Sequence, residues 1–269
     1  MTNLKTGRMT ETAEQATKYQ QFRNLHRAGD PLILVNAWDV ASARVVAAAG
    51  ATAIATTSAG VAWSLGAPDG DSLDRGRAID LVARIAAAVT LPVSADIESG
   101  FGATPDEAAA TVAAIRAAGA VGINIEDGVR TIADHAERLR AIDATGIFVN
   151  ARIDTYLRGT GDIRDAIDRA HAFIEAGAEG IFVPGVADES TIKTLVGEIP
   201  APLNILVGAG SPSVRALTDL GVARISLGSS VAQAAYAVAR RAAVEALGPG
   251  TYEAVGNALD YGELNAIMG

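Results

Sequence analysis

The stretch AAGAVGINIEDG, residues 117–128, contains a complete joint between a helix and a strand. Its small residues fit the last turn of a helix, and Gly119 can take the left-handed conformation that commonly ends one. The run GINIE (122–126) is short and apolar, which indicates a buried strand. The same helix ending recurs as AAGAT at Gly50 and as EAGAEG at Gly177. The sequence therefore predicts a repeated helix-to-strand unit.

Eight short apolar runs of this kind alternate with segments that show helical spacing. The candidate strands are LILV (32–35), AIATT (53–57), PVSAD (92–96), GINIE (122–126), IFVNAR (147–152), GIFV (180–183), LNILV (203–207) and ARISL (223–227). Strands that alternate with helices pair in parallel, so eight units without a linker predict a single (β/α)₈ barrel domain of the TIM type over residues 1–269. An open doubly wound sheet is the runner-up, and two half-barrel domains are a third arrangement. Additional helices are predicted at Glu11–Ala28, which would close the barrel bottom, and at Tyr252–Ile267.

The composition limits the partners and the compartment. The chain carries 31 acidic and 22 basic residues, a net charge of −9, which argues against nucleic acid or an anionic membrane as a partner. It has no cysteine, so disulfides, thiolate catalysis and cysteine-ligated metals are excluded. The first twenty residues lack the apolar segment of a secretory signal, and glycines interrupt the longest uncharged window, Val45–Pro68. We predict a soluble, cytoplasmic protein.

Acidic side chains stand at the carboxyl ends of two neighbouring strands, where barrels of this type build their sites. Asp96 and Glu98 lie two residues apart, so on a strand they would point to the same side. Glu126 ends the next strand, and Arg152 ends the one after it. Three carboxylates in one mouth would repel each other without a cation, and hard oxygen ligands favour Mg²⁺ or Mn²⁺. The Arg152 guanidinium suits a substrate carboxylate or phosphoryl group.

Other interpretations of these residues remain open at this point. Carboxylates at strand ends can cap helices or pair with basic residues, although their occurrence on consecutive strands favours a functional site. The motifs GAGSPS (208–213) and GSS (228–230) precede helices and could bind phosphate through helix N-termini. His135 falls in a predicted helix beside an apolar stripe, which favours a packing role.

The order of these motifs resembles the isocitrate lyase/phosphoenolpyruvate mutase superfamily, whose members carry a D-x-[DE]-x-G-[FY]-G segment. In this chain that segment is DIESGFG (96–102). Five further motifs occur in the family's order and spacing: NAWD (36–39), TTSAGVAWSLGAPDG (56–70), GINIEDG (122–128), NARIDTY (150–156) and EAGAEGIFVPG (175–185). The chain looks most like the short, loop-poor relatives of methylisocitrate lyase and carboxyphosphonate mutase.

The resemblance implies a role for each matching residue. Asp96 would be the principal Mg²⁺ ligand, and Glu98 and Glu126 would hold the ion through its waters. Arg152 and Asp69 would be catalytic, Arg152 by holding a carboxylate or phosphoryl group and Asp69 by standing over the metal shell. The candidate residues for binding the 2-oxo acid are Thr57, Ser58, Ala59, Arg152 and Asn204, the last of these without a clean match to the family. The resemblance also implies a homodimer or homotetramer in which the eighth helix packs on a neighbouring subunit.

The chain departs from the family in three places. The K-[KR]-C-G-H loop of the lyases is absent after strand four, and so is the gating loop of the mutases. The lyases place a glutamate after the proline of strand six, where this chain has Gly185. These losses disfavour methylisocitrate cleavage by the usual mechanism.

The sequence thus predicts a Mg²⁺-dependent lyase-type enzyme. It would cleave or form a C–C or P–C bond next to a 2-oxo acid, with an oxaloacetate-like or phosphonopyruvate-like substrate. The alternative is a non-catalytic protein that binds small 2-oxo acids and has lost the catalytic loop.

Overall fold

Eight parallel strands form a closed barrel in the computed structural model, which describes residues 2–143 and 146–269 and the side chains of 13–142 and 146–269. The strands are β1 Leu32–Leu34, β2 Ile54–Ala55, β3 Val93–Asp96, β4 Gly122–Glu126, β5 Phe148–Arg152, β6 Gly180–Phe182, β7 Leu203–Leu206 and β8 Arg224–Ser226. They pair in the order β1-β8-β7-β6-β5-β4-β3-β2. A parallel bridge between Ala37 and Thr56 joins the two remaining edges. The (β/α)₈ prediction is confirmed, and the open sheet is excluded; the assignment of residues 1–269 to one domain stays a prediction.

The helices surround this barrel. They are α1 Thr2–Asn24, α2 Val40–Ala48, α3 Ser58–Ser64, α4 Arg75–Ala88, α5 Pro105–Ala117, α6 Ile132–Asp143, α7 Thr155–Arg158, α8 Ile163–Glu175, α9 Glu189–Glu198, α10 Val214–Asp219, α11 Ser230–Leu247 and α12 Tyr261–Met268. The predicted helix ending is confirmed at Gly119, which follows α5 with a φ of 103°. In the described part of the chain, no helix is long and apolar enough to cross a membrane.

Strand alternation divides the core into two regions. Outward-facing residues such as Ile123 and Ile125 of β4 pack under the helices in the main apolar cluster. The inward-facing Asn124 lies between them, and hydrogen bonds join it to Asn150 of β5 inside the barrel. The barrel interior is therefore partly polar, and its polar side chains depend on one another for hydrogen bonds.

The N-terminal helix packs against the bottom of the barrel. It ends at Asn24 rather than at the predicted Ala28, and its predicted start lies within a helix that begins at Thr2. Phe22 is fully buried in a cluster with Leu32 and Phe148. A Cβ atom at Gly122 would lie 2.6 Å from the Phe22 ring, so glycine makes room for this contact.

The prediction of a continuous C-terminal helix over Tyr252–Ile267 is wrong. A 3₁₀ helix covers Glu253–Val255, and α12 begins only at Tyr261. The Asp260 carboxylate accepts hydrogen bonds from the backbone N–H groups of Gly262 and Glu263, which starts a new helix there.

The eighth helix of the barrel, α11, leaves much of its own barrel uncovered. Ala232 is the one buried residue of α11, whereas Val244 and Leu247 are 67% and 88% exposed. Ile33, on the outer face of β1, is 42% exposed. A groove of about 620 Å³ lies beside it, between the end of α1 and α2.

Candidate active site

The predicted acids and arginine meet at the carboxyl ends of β3, β4 and β5. Asp96, Glu126 and Arg152 are the last residues of these three strands. Glu126 and Arg152 are register partners, and Arg152 Nη1 lies 2.8 Å from Glu126 Oε2. Burial raises the pKa of both Glu126 and Asp96; the negative charge of Asp96 adds to the shift of Glu126, and the positive charge of Arg152 opposes both shifts. The strand ends therefore bring the three side chains into one electrostatic cluster.

Asp96 is fixed by hydrogen bonds from three directions. Its backbone N–H donates to Thr56 Oγ1 at 2.9 Å. Its carboxylate accepts from the backbone N–H of Glu98 at 3.2 Å and from Asn124 Nδ2 at 3.4 Å. Burial raises the pKa of Asp96, and the Arg152 charge opposes this shift. The carboxylate is thus held in place without a cation against it among the described side chains.

Glu98 reaches the site through a turn, and the prediction that strand alternation would place it there is wrong. β3 ends at Asp96, and Gly100 N–H bonds back to the carbonyl oxygen of Ile97 at 2.8 Å. Glu98 adopts a φ of 52°, in the left-handed region, which costs about 1 kcal/mol or more for a residue other than glycine. The turn buries Glu98 to 2% exposure and keeps it beside Asp96.

The loop between α3 and α4 brings two further acids toward Glu98. The Asp71 backbone N–H donates a short hydrogen bond to Glu98 Oε2, and Asp71 Oδ1 accepts from the Ser99 N–H at 3.3 Å. Asp69 is exposed, and its charge raises the pKa of both Asp96 and Glu98. Asp69 therefore stands at the solvent side of the acids, and its predicted place over a metal shell stays a prediction.

Thr57, Ser58 and Ala59 lie beside the acids at the start of α3. All three are buried, and they directly follow Thr56, whose hydroxyl accepts from Asp96. Thr57 is the N-cap residue, and its side chain does not cap the helix. The first N–H groups of α3 therefore receive no hydrogen bond from the Thr57 side chain.

Arg152 is clamped by two acids. Its Nε lies 2.6 Å from Asp154 Oδ1 and its Nη2 lies 3.2 Å from Asp154 Oδ2, in addition to the Glu126 contact. Asp154 is fully buried, and its N–H donates to Asp127 Oδ1 at 3.0 Å. Arg169 Nη1 lies 3.0 Å from Asp127 Oδ2. This chain of contacts fixes the direction of the guanidinium.

Sequence reasoning assigned no role to Asp154, Asp127, Arg158 or Arg169. Arg158 lies 3.3 Å from Asp154 and 3.8 Å from Glu126, which makes it a second arginine at the mouth. The contact between Arg152 and Asp154 could have been predicted, because the two residues lie two positions apart at a strand end. The contact between Arg169 on α8 and Asp127 could not, because 42 residues separate them.

Asn204 lies inside the barrel in a hydrogen-bond network. It is fully buried; its Oδ1 accepts from Asn150 Nδ2 at 3.2 Å and its Nδ2 donates to Ser226 Oγ at 3.0 Å. Its amide is thus engaged by protein groups, and its predicted contact with substrate stays a prediction. His135 is buried against Phe173 with ring centroids 4.7 Å apart, which confirms the packing role.

Gly185 cannot simply be replaced by the glutamate that the lyases carry. A Cβ atom there would lie 2.9 Å from the backbone nitrogen of Leu157. The φ of Gly185 is 91°, which favours glycine. The close approach of α7 therefore removes the space that this acid would need.

The acids fit a hydrated divalent cation. Burial raises the pKa of Glu98 and of Glu126 to about 7, and repulsion from Asp96 adds to both shifts. Glu98 Oε1 is buried and has no hydrogen-bond partner among the described residues. Within the same residues, no three acid or histidine side chains converge closely enough to hold a metal ion alone. Mg²⁺ usually keeps several waters and needs few direct protein ligands, and its binding at Asp96 stays a prediction.

We expect Glu98→Gln to become progressively more stable than the wild type as the pH rises from 5 to 8 without metal. The folded-state pKa of about 7 exceeds the ordinary value of 4.5, so the folded wild type holds the proton more tightly and loses stability as the pH rises through this range. The expected difference is on the order of 2 kcal/mol. Urea unfolding in EDTA across this pH range measures it.

The wild type has to be compared with Glu98→Gln at each pH, because other groups make the folded protein more stable as the pH rises. Burial lowers the pKa of His26 and His135 to about 3, so their contribution to stability increases with pH up to the ordinary histidine range. The exposed Glu189→Gln is the matched control and should track the wild type. A Glu98→Gln difference that stays flat with pH would contradict the expectation.

The chain is a (β/α)₈ barrel with several acids and a clamped arginine at the carboxyl ends of its strands. Residues 22–247 match the profile of the phosphoenolpyruvate phosphomutase family. The chain belongs to this family, within the isocitrate lyase/phosphoenolpyruvate mutase superfamily, as the sequence motifs indicated.

Similar proteins include characterised lyases and decarboxylases. An uncharacterised protein of Mycobacterium tuberculosis is 42% identical, with 92% of this chain and 95% of that protein covered. The 2-methylisocitrate lyase of Escherichia coli is 30% identical over 68% of this chain and 67% of its own length. An oxaloacetate decarboxylase of Ectopseudomonas mendocina is 29% identical, with 68% and 65% covered. The predicted enzyme class, a lyase or mutase of this superfamily, is confirmed at this level.

Solved structures support the same fold. A Burkholderia cenocepacia protein provisionally assigned as a lyase/mutase has a TM-score of 0.89 and 36% identity, with 94% of this chain and 96% of that chain covered. A phosphonopyruvate hydrolase in complex with oxalate and Mg²⁺ has a TM-score of 0.82 at 24% identity, with 93% and 94% covered. At this identity, the similarity to the hydrolase supports the barrel fold alone.

Proposed function

We propose that this protein is a Mg²⁺-dependent enzyme that cleaves or forms a C–C or P–C bond next to a 2-oxo acid; Mn²⁺ is the alternative cation. The observation that carries the proposal is the group of acids at the mouth: Glu98 is buried with an unpartnered carboxylate oxygen, and the partly buried Glu126 contacts the clamped Arg152. Carboxylates in one mouth favour a cation, and the arginine favours an anion. A 2-oxo acid bound together with a divalent metal ion would supply both.

The residues divide into those that hold the cation and those that orient the substrate. Asp96 would bind the ion directly, and Glu98 and Glu126 would hold its waters. An ion held there would supply positive charge to an enolate-type oxyanion beside the substrate carboxylate. Arg152 would bind the substrate's second acid group, because its planar fork is held in one direction by Asp154.

The wall beside the acids would bind the 2-oxo acid itself. Thr57, Ser58 and Ala59 offer hydroxyl and backbone N–H groups at the uncapped start of α3. Asp69, whose charge acts on Asp96 and Glu98, is the proposed acid over the metal shell. The burial of the three α3 residues keeps water from this side of the substrate.

The structure favours a compact substrate over a tricarboxylate. Five residues, 127–131, join β4 to α6, so the long catalytic loop of the lyases has no counterpart here. The contact between Gly185 and Leu157 also leaves no room for the strand-six glutamate. We therefore rank oxaloacetate-like and phosphonopyruvate-like acids above methylisocitrate.

The competing proposal is a non-catalytic protein that binds small 2-oxo acids. The short loop after β4 supports it, because that loop would otherwise exclude water from the reaction. The buried acids favour the enzyme, since a binding protein has little need for a polarising cation beside the 2-oxo group.

A panel of substrates tests the proposed reaction. Oxaloacetate, phosphonopyruvate and 2-methylisocitrate can each release pyruvate, so one coupled pyruvate assay with Mg²⁺ compares all three, and ³¹P NMR detects a mutase product. We expect turnover of oxaloacetate or phosphonopyruvate to exceed that of methylisocitrate. Turnover confined to methylisocitrate would overturn the substrate ranking. Oxalate binding without turnover of any compound would leave the binding protein as the better description.

We also propose that the protein is a homodimer, or a tetramer built from such dimers, with α11 of a second copy in the groove beside Ile33. The groove lies where an eighth barrel helix would ordinarily cover β1, and its lining is mainly apolar. Exposed apolar residues on α11, including Val244 and Leu247, supply a matching surface. A cytoplasmic location, expected from the sequence, stays a prediction.

We expect light scattering at micromolar concentration to show a dimer or tetramer for the wild type. Val244→Glu should shift the mass toward the monomer, because it places a charge in the proposed contact. Val214→Glu, at an exposed apolar position on α10, is the matched control and should keep the wild-type mass. A monomeric wild type would rule out this assembly.

A further inference from the structure

Arg224 is a buried charge inside the barrel. It lies on β8, is fully buried and is the largest of the fully buried side chains of the described residues. None of the ion pairs among those residues includes it. Burial lowers the pKa of Arg224 to about 9, and the charge of Asp96 opposes this shift, so it remains a cation at neutral pH. A buried cation without a paired carboxylate is costly to stability, which calls for an explanation.

The contacts of Arg224 connect the bottom of the barrel to its mouth. On the lower side, Nη1 lies 3.4 Å from His26 Nε2, and the guanidinium carbon lies 5.8 Å from the centroid of the Phe22 ring. On the upper side, Nη2 donates to Asn124 Oδ1 at 3.0 Å. Asn124 Nδ2 in turn donates to Asp96 Oδ2 at 3.4 Å.

The chemistry of the guanidinium determines which way the Asn124 amide points. Arginine has only hydrogen-bond donors, so it must face the amide oxygen. Asn150 Nδ2 donates to the same oxygen at 2.9 Å. With two donors on Oδ1, the amide nitrogen is directed toward Asp96. Arg224 and Asn150 thus fix the orientation of the Asn124 amide, and Asp96 accepts its hydrogen bond at Oδ2.

We propose that Arg224 is a positioning residue for the metal-binding carboxylate, acting through Asn124 on Asp96. It holds the Asn124 amide in the orientation that donates to Asp96. This inference rests on the proposed function, because it takes Asp96 as the Mg²⁺ ligand. Groups that orient metal ligands commonly change metal affinity about 10- to 100-fold when removed.

A purely structural role for Arg224 makes a different prediction. In that case Arg224 would only anchor α1 through His26 and Phe22, and loss of either contact would lower stability without a specific effect on Mg²⁺. His26→Phe removes the lower contact and leaves the Arg224–Asn124 hydrogen bond in place. The His26 ring is stacked on Phe148 at 4.4 Å, so phenylalanine is a suitable replacement.

Calorimetric titration of the metal-free protein with Mg²⁺, with and without oxalate, tests the inference, and thermal unfolding is measured in parallel. We expect Arg224→Met to weaken Mg²⁺ binding about tenfold or more, Arg224→Lys to weaken it less, and His26→Phe to leave it within about twofold. Asn124→Leu should match Arg224→Met. Because both act on the same contact, the double variant should bind Mg²⁺ no more weakly than either single one.

Three results would overturn the inference. One is unchanged Mg²⁺ affinity in folded Arg224→Met or in folded Asn124→Leu. Another is equal weakening by His26→Phe, which would indicate a structural role. The third is additivity of the Arg224 and Asn124 effects. If Arg224→Met does not fold, Asn124→Leu still decides the outcome. A wild type that binds no Mg²⁺ would instead refute the proposed function and, with it, this inference.

Discussion

Asp96→Asn is expected to reduce kcat/KM on the best 2-oxo acid substrate by about 10³-fold or more, because it removes the proposed direct ligand of the cation. The substitution keeps the size of the side chain and one carbonyl oxygen, so the hydrogen bond from Asn124 can be retained. It also removes a buried carboxylate whose pKa is raised by burial. The variant should therefore fold, and its metal-free form should be at least as stable as the wild type near pH 8.

The same substitution should abolish the coupling between metal and anion. In the wild type, Mg²⁺ and oxalate should each tighten the binding of the other, because each offsets the charge of the other in the mouth. Calorimetry of Mg²⁺ with and without oxalate measures this coupling, and Asp219→Asn, at an exposed acid on α10, is the matched control. Unchanged coupling in Asp96→Asn, or none in the wild type, would remove the basis for the metal site.

Arg152→Lys is expected to lower kcat/KM by about 10²-fold or more, although the positive charge is retained. A lysine has one compact ammonium group and cannot contact Asp154 and Glu126 while it also presents a planar fork to the substrate. Arg152 makes these contacts at 2.6 Å and 2.8 Å. The effect should be on the orientation of the substrate more than on the charge of the site.

The matched control is Arg158→Lys, the same chemical change at the second arginine of the mouth. Its side chain is 41% exposed and its contacts with the acids are longer, 3.3 Å and 3.8 Å. We expect less than about a tenfold change there, because exposed ion pairs contribute little. Steady-state kinetics of both variants on oxaloacetate and phosphonopyruvate measures the difference. An equal decrease in kcat/KM for both variants would contradict a specific role for the orientation of the Arg152 guanidinium.

Arg152→Met removes the positive charge that Arg152→Lys keeps, so the two variants together measure what the charge contributes to stability. It would leave Asp154 and Glu126 without their main cation, and an uncompensated buried charge commonly costs about 3–5 kcal/mol. The loss of stability should be larger than for Arg152→Lys in the same urea titration. This comparison shows whether Arg152 also contributes to the stability of the barrel mouth.

Local sequence determined the elements of this barrel and the side chains at its mouth. Helix endings such as Gly119 and the apolar run of β4 predicted where the chain changes direction, because backbone conformation and burial depend on neighbouring residues. The parallel arrangement followed from the alternation of elements. Once the strands were parallel, Asp96, Glu126 and Arg152 had to share one edge, since each ends a strand.

The tertiary structure decided the contacts that cross between distant parts of the chain. The Glu98 turn, the clamp of Asp154 on Arg152, and the path from Arg224 through Asn124 to Asp96 depend on register and on side-chain direction. The exposure of α11 depends on how the chain leaves β8. None of these has a local signature, because the residues involved are brought together only when the barrel closes. The strand pattern thus predicted the positions of Asp96 and Glu126 at the mouth, and closure of the barrel determined which hydrogen bonds and charges act on them.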